Sequence, residues 1–299
     1  MSDNSPLTYE QQIQGEAAVW SENKRRYHEK NPPDWRYLRE LTNYWIFRRD
    51  LEQFYNRICP GDQILELGCG AGWQALEMAR HGAHVLAVDI AEGALDIGKS
   101  YYAEIQKTEK LQGTVTYRVA DINHLETITD QFDWIVMSGV LHHVPNPPEL
   151  LANCKRLLKT AGGLFISDPL DTTFLNSLFV GFFLLVLPTN LSYKDKFRRL
   201  LQIRGKAVER MGVAIEGRGL SPFEGVGRTD SPQVIIARDF KIERYNERWG
   251  INWFLAQELH GPRWFVRNAL RLIAPLDEFL VKVHLIRGLR YMTIARPKT

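Results

Sequence analysis

ILELGCGAGW, residues Ile64 to Trp73, decides the fold. Ile64 to Leu67 reads as a short buried strand, and it runs directly into a turn carrying Gly68, Gly70 and Gly72. Glycines at this spacing let the backbone turn sharply and leave room for a ligand against it. The helix that follows, Gly72 to Arg80, starts with unpaired N–H groups and the positive end of its dipole, and His81-Gly82 end it. Working outward, His84 to Asp89 is strand-like, Ala91 to Gln106 helical, Val115 to Val119 and Trp134 to Ser138 strands. Pro148 to Lys159 reads as a helix and Leu164 to Ser167 as a strand, with Gly162-Gly163 as the helix stop between them. Such alternation predicts right-handed crossovers and a mostly parallel sheet covered on both faces, an α/β fold. Asp89, at the end of the second strand, stands where a carboxylate would accept from ribose hydroxyls. A dinucleotide fingerprint, however, wants its third glycine where Trp73 stands, and Glu66 is atypical of it.

Composition bounds the rest. The chain has 299 residues, 44% hydrophobic and 24% charged, with a formal net charge of +3. That is ample for a sizeable core and excludes a disordered or collagen-like chain. The three cysteines, Cys59, Cys69 and Cys154, form no disulfide framework and none stands at metal-ligand spacing to another, so no metal is expected. The first sixteen residues are polar and read as no secretory signal; the expectation is a cytoplasmic protein. The weak positive charge gives no reason to expect nucleic acid.

The stretch from about Gln63 to Pro169 resembles the class I S-adenosylmethionine-dependent methyltransferases, in their small-molecule branch of natural-product and ubiquinone-type enzymes. ELGCGAGW is similar to that family's first motif, VLAVDI to its second and VADINHL to its third. FDWIVMSGVLHHVPNP resembles the fourth and GGLFISDPL the fifth. The resemblance implies a Rossmann-like seven-stranded sheet ending in an antiparallel C-terminal strand, and S-adenosyl-L-methionine as cofactor. It implies that Glu66, Gly68 and Gly70 line the methionine end, and that Asp89 holds the ribose with Ile90 against the adenine. Asp121 would accept from the adenine amino group, Ile122 would form another apolar wall, and Ser138 would sit near the sulfonium.

Methyl transfer to a hydroxyl also needs a proton removed, and His142 and His143, just after the fourth strand, are the candidates for the base. Asp168, after the fifth strand, shares the C-terminal edge of the sheet, where ligands of open α/β folds bind. The pairing resembles the base and orienting group of natural-product sugar O-methyltransferases; the alternative is that the histidines only shape the loop. The Asn-Pro-Pro-aromatic motif of nucleobase and protein-amide methylation is replaced here by Ser138-Gly139-Val140, and NPPE at Asn146 to Glu149 opens a helix instead. Asn31-Pro32-Pro33-Asp34 reads as a linker.

Around this core, residues 1–60 read as an N-terminal helical cap and 61–170 as the cofactor-binding core. Residues 171–230 read as a substrate lid insertion, and 231–299 complete the sheet with a helical insertion. Phe174 to Leu187 is almost continuously apolar but shorter than the roughly 20 residues of a membrane span, so it reads as a buried or lid helix, with an apolar wall or shallow membrane contact as alternatives. The basic run from Lys194 to Arg210 reads as a solvated helix face or a contact for anionic lipid. SPFEGVGR, Ser221 to Arg228, is an acceptor loop or a plain turn. Ser231-Pro232 reads as an N-cap with a first-turn proline. Asp239 to Asn246 and Tyr291 to Ala295 are the last strands, with a helical, aromatic-rich stretch from Asn252 to Ile286 between them. Tyr27, Trp35, Trp45, Trp253, Phe254, Trp264 and Phe265 read mostly as core or homodimer packing. The expected function is methyl transfer to an oxygen, or else a nitrogen or carbon, of a small secondary metabolite. A quinone, lipid or glycolipid acceptor at a membrane is the alternative within the class. A NAD-dependent oxidoreductase and a non-catalytic cofactor-binding module are the alternatives outside it.

Overall fold

Strand β1 (Gln63–Leu67) has neighbours on both sides and on both faces, which is why its run is so apolar. A computed structural model describes residues 7–28, 50–171, 173–189, 191–202, 223 and 231–298. Its further strands are β2 (His84–Asp89), β3 (Thr114–Val119), β4 (Phe132–Ser138), β5 (Leu158–Pro169), β6 (Phe240–Arg248) and β7 (Arg290–Pro297). They form one sheet in the order β3-β2-β1-β4-β5-β7-β6. Strands β1 to β5 pair in parallel, and β7 runs antiparallel to both β5 and β6, so six strands point one way and one opposes them. The order reverses between β1 and β4, and the crevice outside their C-terminal ends is where such sheets bind ligands.

Side chains alternate faces along each strand. Leu65, Leu67, Ile135, Met137, Leu164 and Ile166 meet helices α4 (Pro147–Leu157) and α7 (Pro232–Asp239) on one face. Ile64, Val85, Trp134, Val136 and Phe165 meet α2 (Trp73–Arg80), α3 (Glu92–Thr108) and the helical segment 50–55 on the other. Helix α1 (Tyr9–His28) packs against α3. A third core joins α5 (Phe174–Val186), α8 (Asn252–Glu258) and α9 (Arg263–Lys282) through Val180, Leu184, Leu255, Leu270 and Leu280; α6 (Tyr193–Gln202) lies against α5. Asn176, fully buried near the start of α5, fastens this helical unit to the strand ends. Its amide donates to the carbonyls of Gly250 (3.0 Å) and Arg287 (2.7 Å), and its oxygen accepts from the Arg287 N–H (3.2 Å).

Several expectations need correction. Helix α4 ends at Leu157, and β5 already begins at Leu158 and runs through Gly162 and Gly163, so this pair is no helix stop. The register with β4 shifts there, and a methyl group at Gly163 would collide with the Trp134 ring; the glycines serve a bulge and a close packing. Ser231 precedes α7, with Pro232 in its first turn, but its side chain makes no capping bond. The stretch Asn252 to Ile286 is two helices broken at Gly261-Pro262. Trp253 packs on the core and Phe254 and Phe265 on the helical unit, whereas Trp264 is exposed. In the basic run, Lys194 is exposed but Lys196 is buried, its ammonium donating to the Leu187 carbonyl at 3.0 Å. Residues Asn31 to Asp34, Trp35, Trp45, Arg204 to Arg210 and all of SPFEGVGR except Phe223 lie outside the described residues, as does the side chain of Tyr27.

Candidate active site

All the strand-end residues singled out in the sequence come to the C-terminal edge of the sheet. Glu66 shares the strand face of Ile64, so its side chain points toward α2, where the Ala75 N–H donates to its carboxylate. Burial, and to a lesser degree the nearby Asp89 carboxylate, pushes its pKa up from 4.5 to about 8. Its Oε2 is buried without a hydrogen-bond partner. Gly68 and Gly70 hold φ of 67° and 55°, a region that L side chains rarely enter. A methyl group at Gly68 would run into Val140, and one at Gly70 would stand 3.0 Å from Cε of Lys24.

Asp89 closes the turn from below. Its carboxylate accepts from the N–H groups of Gly70 (2.7 Å) and Ala91 (2.8 Å). Burial raises its pKa, opposed by those two donors and by the nearby Lys24 ammonium. Ile90 follows, half-buried. Asp121, after β3, accepts from the Tyr9 hydroxyl at 2.7 Å and from the Asn123 N–H at 2.9 Å, while Ile122 packs on the core. At the end of β4, the Ser138 hydroxyl accepts from the Arg290 guanidinium at 2.9 Å.

The two histidines occupy a single-turn 3-10 helix, Leu141–His143, with ring centroids 4.0 Å apart, yet they pair in different directions. His142 Nδ1 lies 3.0 Å from Oδ1 of Asp168, and both groups are buried. Asp168 also accepts from the N–H groups of Val140 (2.8 Å) and His142 (3.0 Å), which locks the turn to β5. A cleft of about 240 Å³ opens beside this pair, lined among others by Leu170, Ile235, Arg287 and Tyr291. His143 Nδ1 instead lies 3.3 Å from Oε1 of Glu16 on α1, whose carboxylate also accepts from the Trp20 indole (2.7 Å) and the Phe223 N–H (3.3 Å).

Sequence reasoning missed two contributors. Helix α1 lies across the strand ends through Tyr9, Glu16 and Lys24, and only the Glu16–Trp20 spacing of four could have hinted that an acid sits on its inner face. Arg290, at the start of β7, donates through Nε to the Ser167 hydroxyl at 2.7 Å and through Nη2 to the Ser167 carbonyl at 2.9 Å. Asp168 offsets the burial that lowers its pKa. A charge opening a buried strand was its only sequence signal.

The glycine turn, the acid closing β2 and the switch between β1 and β4 carry the likeness of this core to the class I S-adenosylmethionine-dependent methyltransferases. Residues 65–166 match the family described as "Methyltransferase domain". Among curated relatives, the ubiquinone biosynthesis O-methyltransferase of Coxiella burnetii (strain Dugway 5J108-111) is 36% identical over 107 residues, covering 36% of this chain and 43% of its own. The enzyme of the same name from Glaesserella parasuis is 38% identical over 107 residues, covering 36% and 45%. The chain thus spans less than half the length of these relatives. Among solved structures, an S-adenosylmethionine-dependent methyltransferase from Mesorhizobium loti is 20% identical over 82% of this chain and 95% of its own, with a TM-score of 0.49.

S-adenosylmethionine is the cofactor that this likeness implies, and the residues fit it. The partnerless Oε2 of Glu66, beside the acidic Asp89, is the acceptor that a ligand ammonium would satisfy, and Gly68 and Gly70 keep their backbone bare of side chains. Among the described residues no cluster of histidine, cysteine or acid could hold a metal, and no helix is long and apolar enough to cross a membrane.

Proposed function

We propose that this chain transfers the methyl group of S-adenosylmethionine to a hydroxyl oxygen of a small acceptor bound beside His142. The observation that carries the reading is the buried His142–Asp168 pair at the cleft, 3.0 Å apart on the ligand edge of the sheet. When bound, S-adenosylmethionine supplies an electrophilic methyl carbon and a neutral thioether leaving group. The protein's own task is alignment and proton removal. Asp168 takes the Nδ1–H of His142, which leaves Nε2 to accept the acceptor's hydroxyl proton as the new carbon–oxygen bond forms. Arg290 braces the ends of β4 and β5 through Ser138 and Ser167, holding that pair in register. Glu66 and Asp89 hold the cofactor's ammonium and ribose, and Asp121 and Ile122 its base. His143, engaged by Glu16, ties α1 across the site and leaves the base role to His142.

The names of the curated relatives support an oxygen acceptor, and they favour a second reading in which that acceptor is a quinone or lipid. The apolar side chains of Leu141, Leu170 and Ile235 in the cleft suit such a molecule. Incubation with methyl-labelled S-adenosylmethionine and three probes, a catechol, a sugar alcohol and a primary amine, tests the proposal. Label is expected on an oxygen probe and at a rate that His142→Ala reduces. Label on the amine alone, or a rate indifferent to His142, would refute it.

A further inference from the structure

Twelve of the sixteen large apolar side chains exposed among the described residues fall in 174–197 and 264–285, the unit built from α5, α6, α8 and α9. They are not scattered. On α5, Phe174, Leu178, Phe182 and Val186 recur every four residues and form one stripe in solvent. The same helix buries Val180 and Leu184 together with Asn176, Ser177 and Gly181, so its apolar residues occupy the outer face as well as the inner one, which an amphipathic helix in water does not show. On α9 and at its C-cap, Leu272, Leu276, Phe279 and Val283 follow at helical spacing and are also exposed, Leu272 to 83%. A monomer in water rarely carries contiguous apolar faces of this kind.

Charge narrows the occupant. Among the described side chains of these helices, the exposed ionisable ones are Lys194, Arg267, Arg271 and Lys282 against one acid, Glu278, which Arg248 engages at 3.3 Å. A second copy of the chain would bring these like charges together across a two-fold axis. An anionic surface would not. Apolar stripes bordered by lysine and arginine, on helices of which none among the described residues is long and apolar enough to cross a bilayer, are the pattern of helices lying in the headgroup region.

We propose that the exposed faces of α5 and α9 dock the protein on an anionic lipid bilayer, with Phe182 and Phe279 entering the acyl boundary and Arg267 and Lys282 meeting lipid phosphates. The docking does not depend on the methyl-transfer reading. It brings the bilayer to the helical unit that Asn176 fastens to Arg287, a residue of the cleft, and so offers an apolar acceptor a route from the membrane.

Flotation of the full chain with vesicles of phosphatidylcholine alone, or mixed with phosphatidylglycerol, tests it without any acceptor. The protein is expected to float with the anionic vesicles, at least about tenfold more than with neutral ones. Phe182→Ser with Phe279→Ser should abolish flotation, and Arg267→Glu with Lys282→Glu should remove the preference for phosphatidylglycerol. Both pairs lie on exposed positions, and an unchanged melting temperature confirms that the variants fold. Protein left at the bottom of both gradients would overturn the proposal. So would a wild-type dimer that the serine pair converts to a monomer, since a second copy would then be the occupant.

Discussion

Replacing Asp168 by asparagine should lower kcat by about 10²–10⁴-fold, the range a positioned general base contributes. Asp168 accepts three hydrogen bonds, from the backbone of Val140 and His142 and from His142 Nδ1, and an amide has one oxygen to offer them. Its NH₂ would face a donor, so the imidazole would turn to the other tautomer and place a hydrogen on Nε2, where a base needs a lone pair. Affinity for S-adenosylhomocysteine should change less than about threefold, because β5 lies two strands from the glycine turn. His142→Gln separates chemistry from packing, since it removes the base and leaves the backbone donors to Asp168 intact. Single-turnover rates on the oxygen acceptor found by label transfer, with melting temperatures alongside, are the measurement. Rates within threefold of wild type for both variants would remove this pair from the mechanism.

Glu66→Gln should weaken S-adenosylhomocysteine binding by about ten- to a hundredfold at pH 8, the loss of one charge-assisted hydrogen bond. The pH dependence follows from the same group. Burial raises its pKa from 4.5 to about 8, so the empty folded protein holds a proton there at neutral pH. Pairing with an ammonium requires the ionised form, and binding therefore expels that proton. Wild-type affinity should rise toward pH 8, by up to about tenfold per pH unit, while the glutamine variant stays flat from pH 6 to 8. Stability has the opposite sign. The folded state binds the proton more tightly than the unfolded chain, so the stability this group contributes is full below pH 4.5 and is lost as pH rises toward 8. The slope is at most about 1.4 kcal/mol per pH unit. The variant should therefore resist urea better than wild type at pH 8. Calorimetry in buffers of different ionisation enthalpy reads the proton release directly; none at pH 7 would contradict this account of Glu66.

The core was legible because its signals are local. The short apolar runs of β1, β4 and β5 and the glycines at Gly68 and Gly70 can be read without knowing any partner, and the alternation of strands with helices implied a mostly parallel sheet, whereas the strand order is seen only in the structure. Gly162-Gly163 misled because a helix stop and a β-bulge both call for glycine, and only the Trp134 ring across the sheet distinguishes them. The parts of the site that stayed hidden are contacts between distant segments. Tyr9 meets Asp121 across 112 residues and Arg290 meets Ser138 across 152, and no periodicity encodes such a meeting. For the same reason, two adjacent histidines that look equivalent in the chain have different partners, Asp168 from the sheet and Glu16 from α1. The apolar run Phe174 to Leu187 read as a buried or lid helix, and a helix does span Phe174–Val186, but which side faced solvent depended on what packed beneath it.

Calorimetric titration of the purified protein with S-adenosylmethionine and, separately, NADH, repeated on Asp89→Ala, tests the central claim most directly. Asp89 fixes the Gly70 turn, and the proposal has it hold the cofactor's ribose. The account predicts one-to-one micromolar binding of S-adenosylmethionine alone, weakened by about ten- to a hundredfold in the variant. Binding of NADH without S-adenosylmethionine would contradict it, together with every catalytic role built on that cofactor.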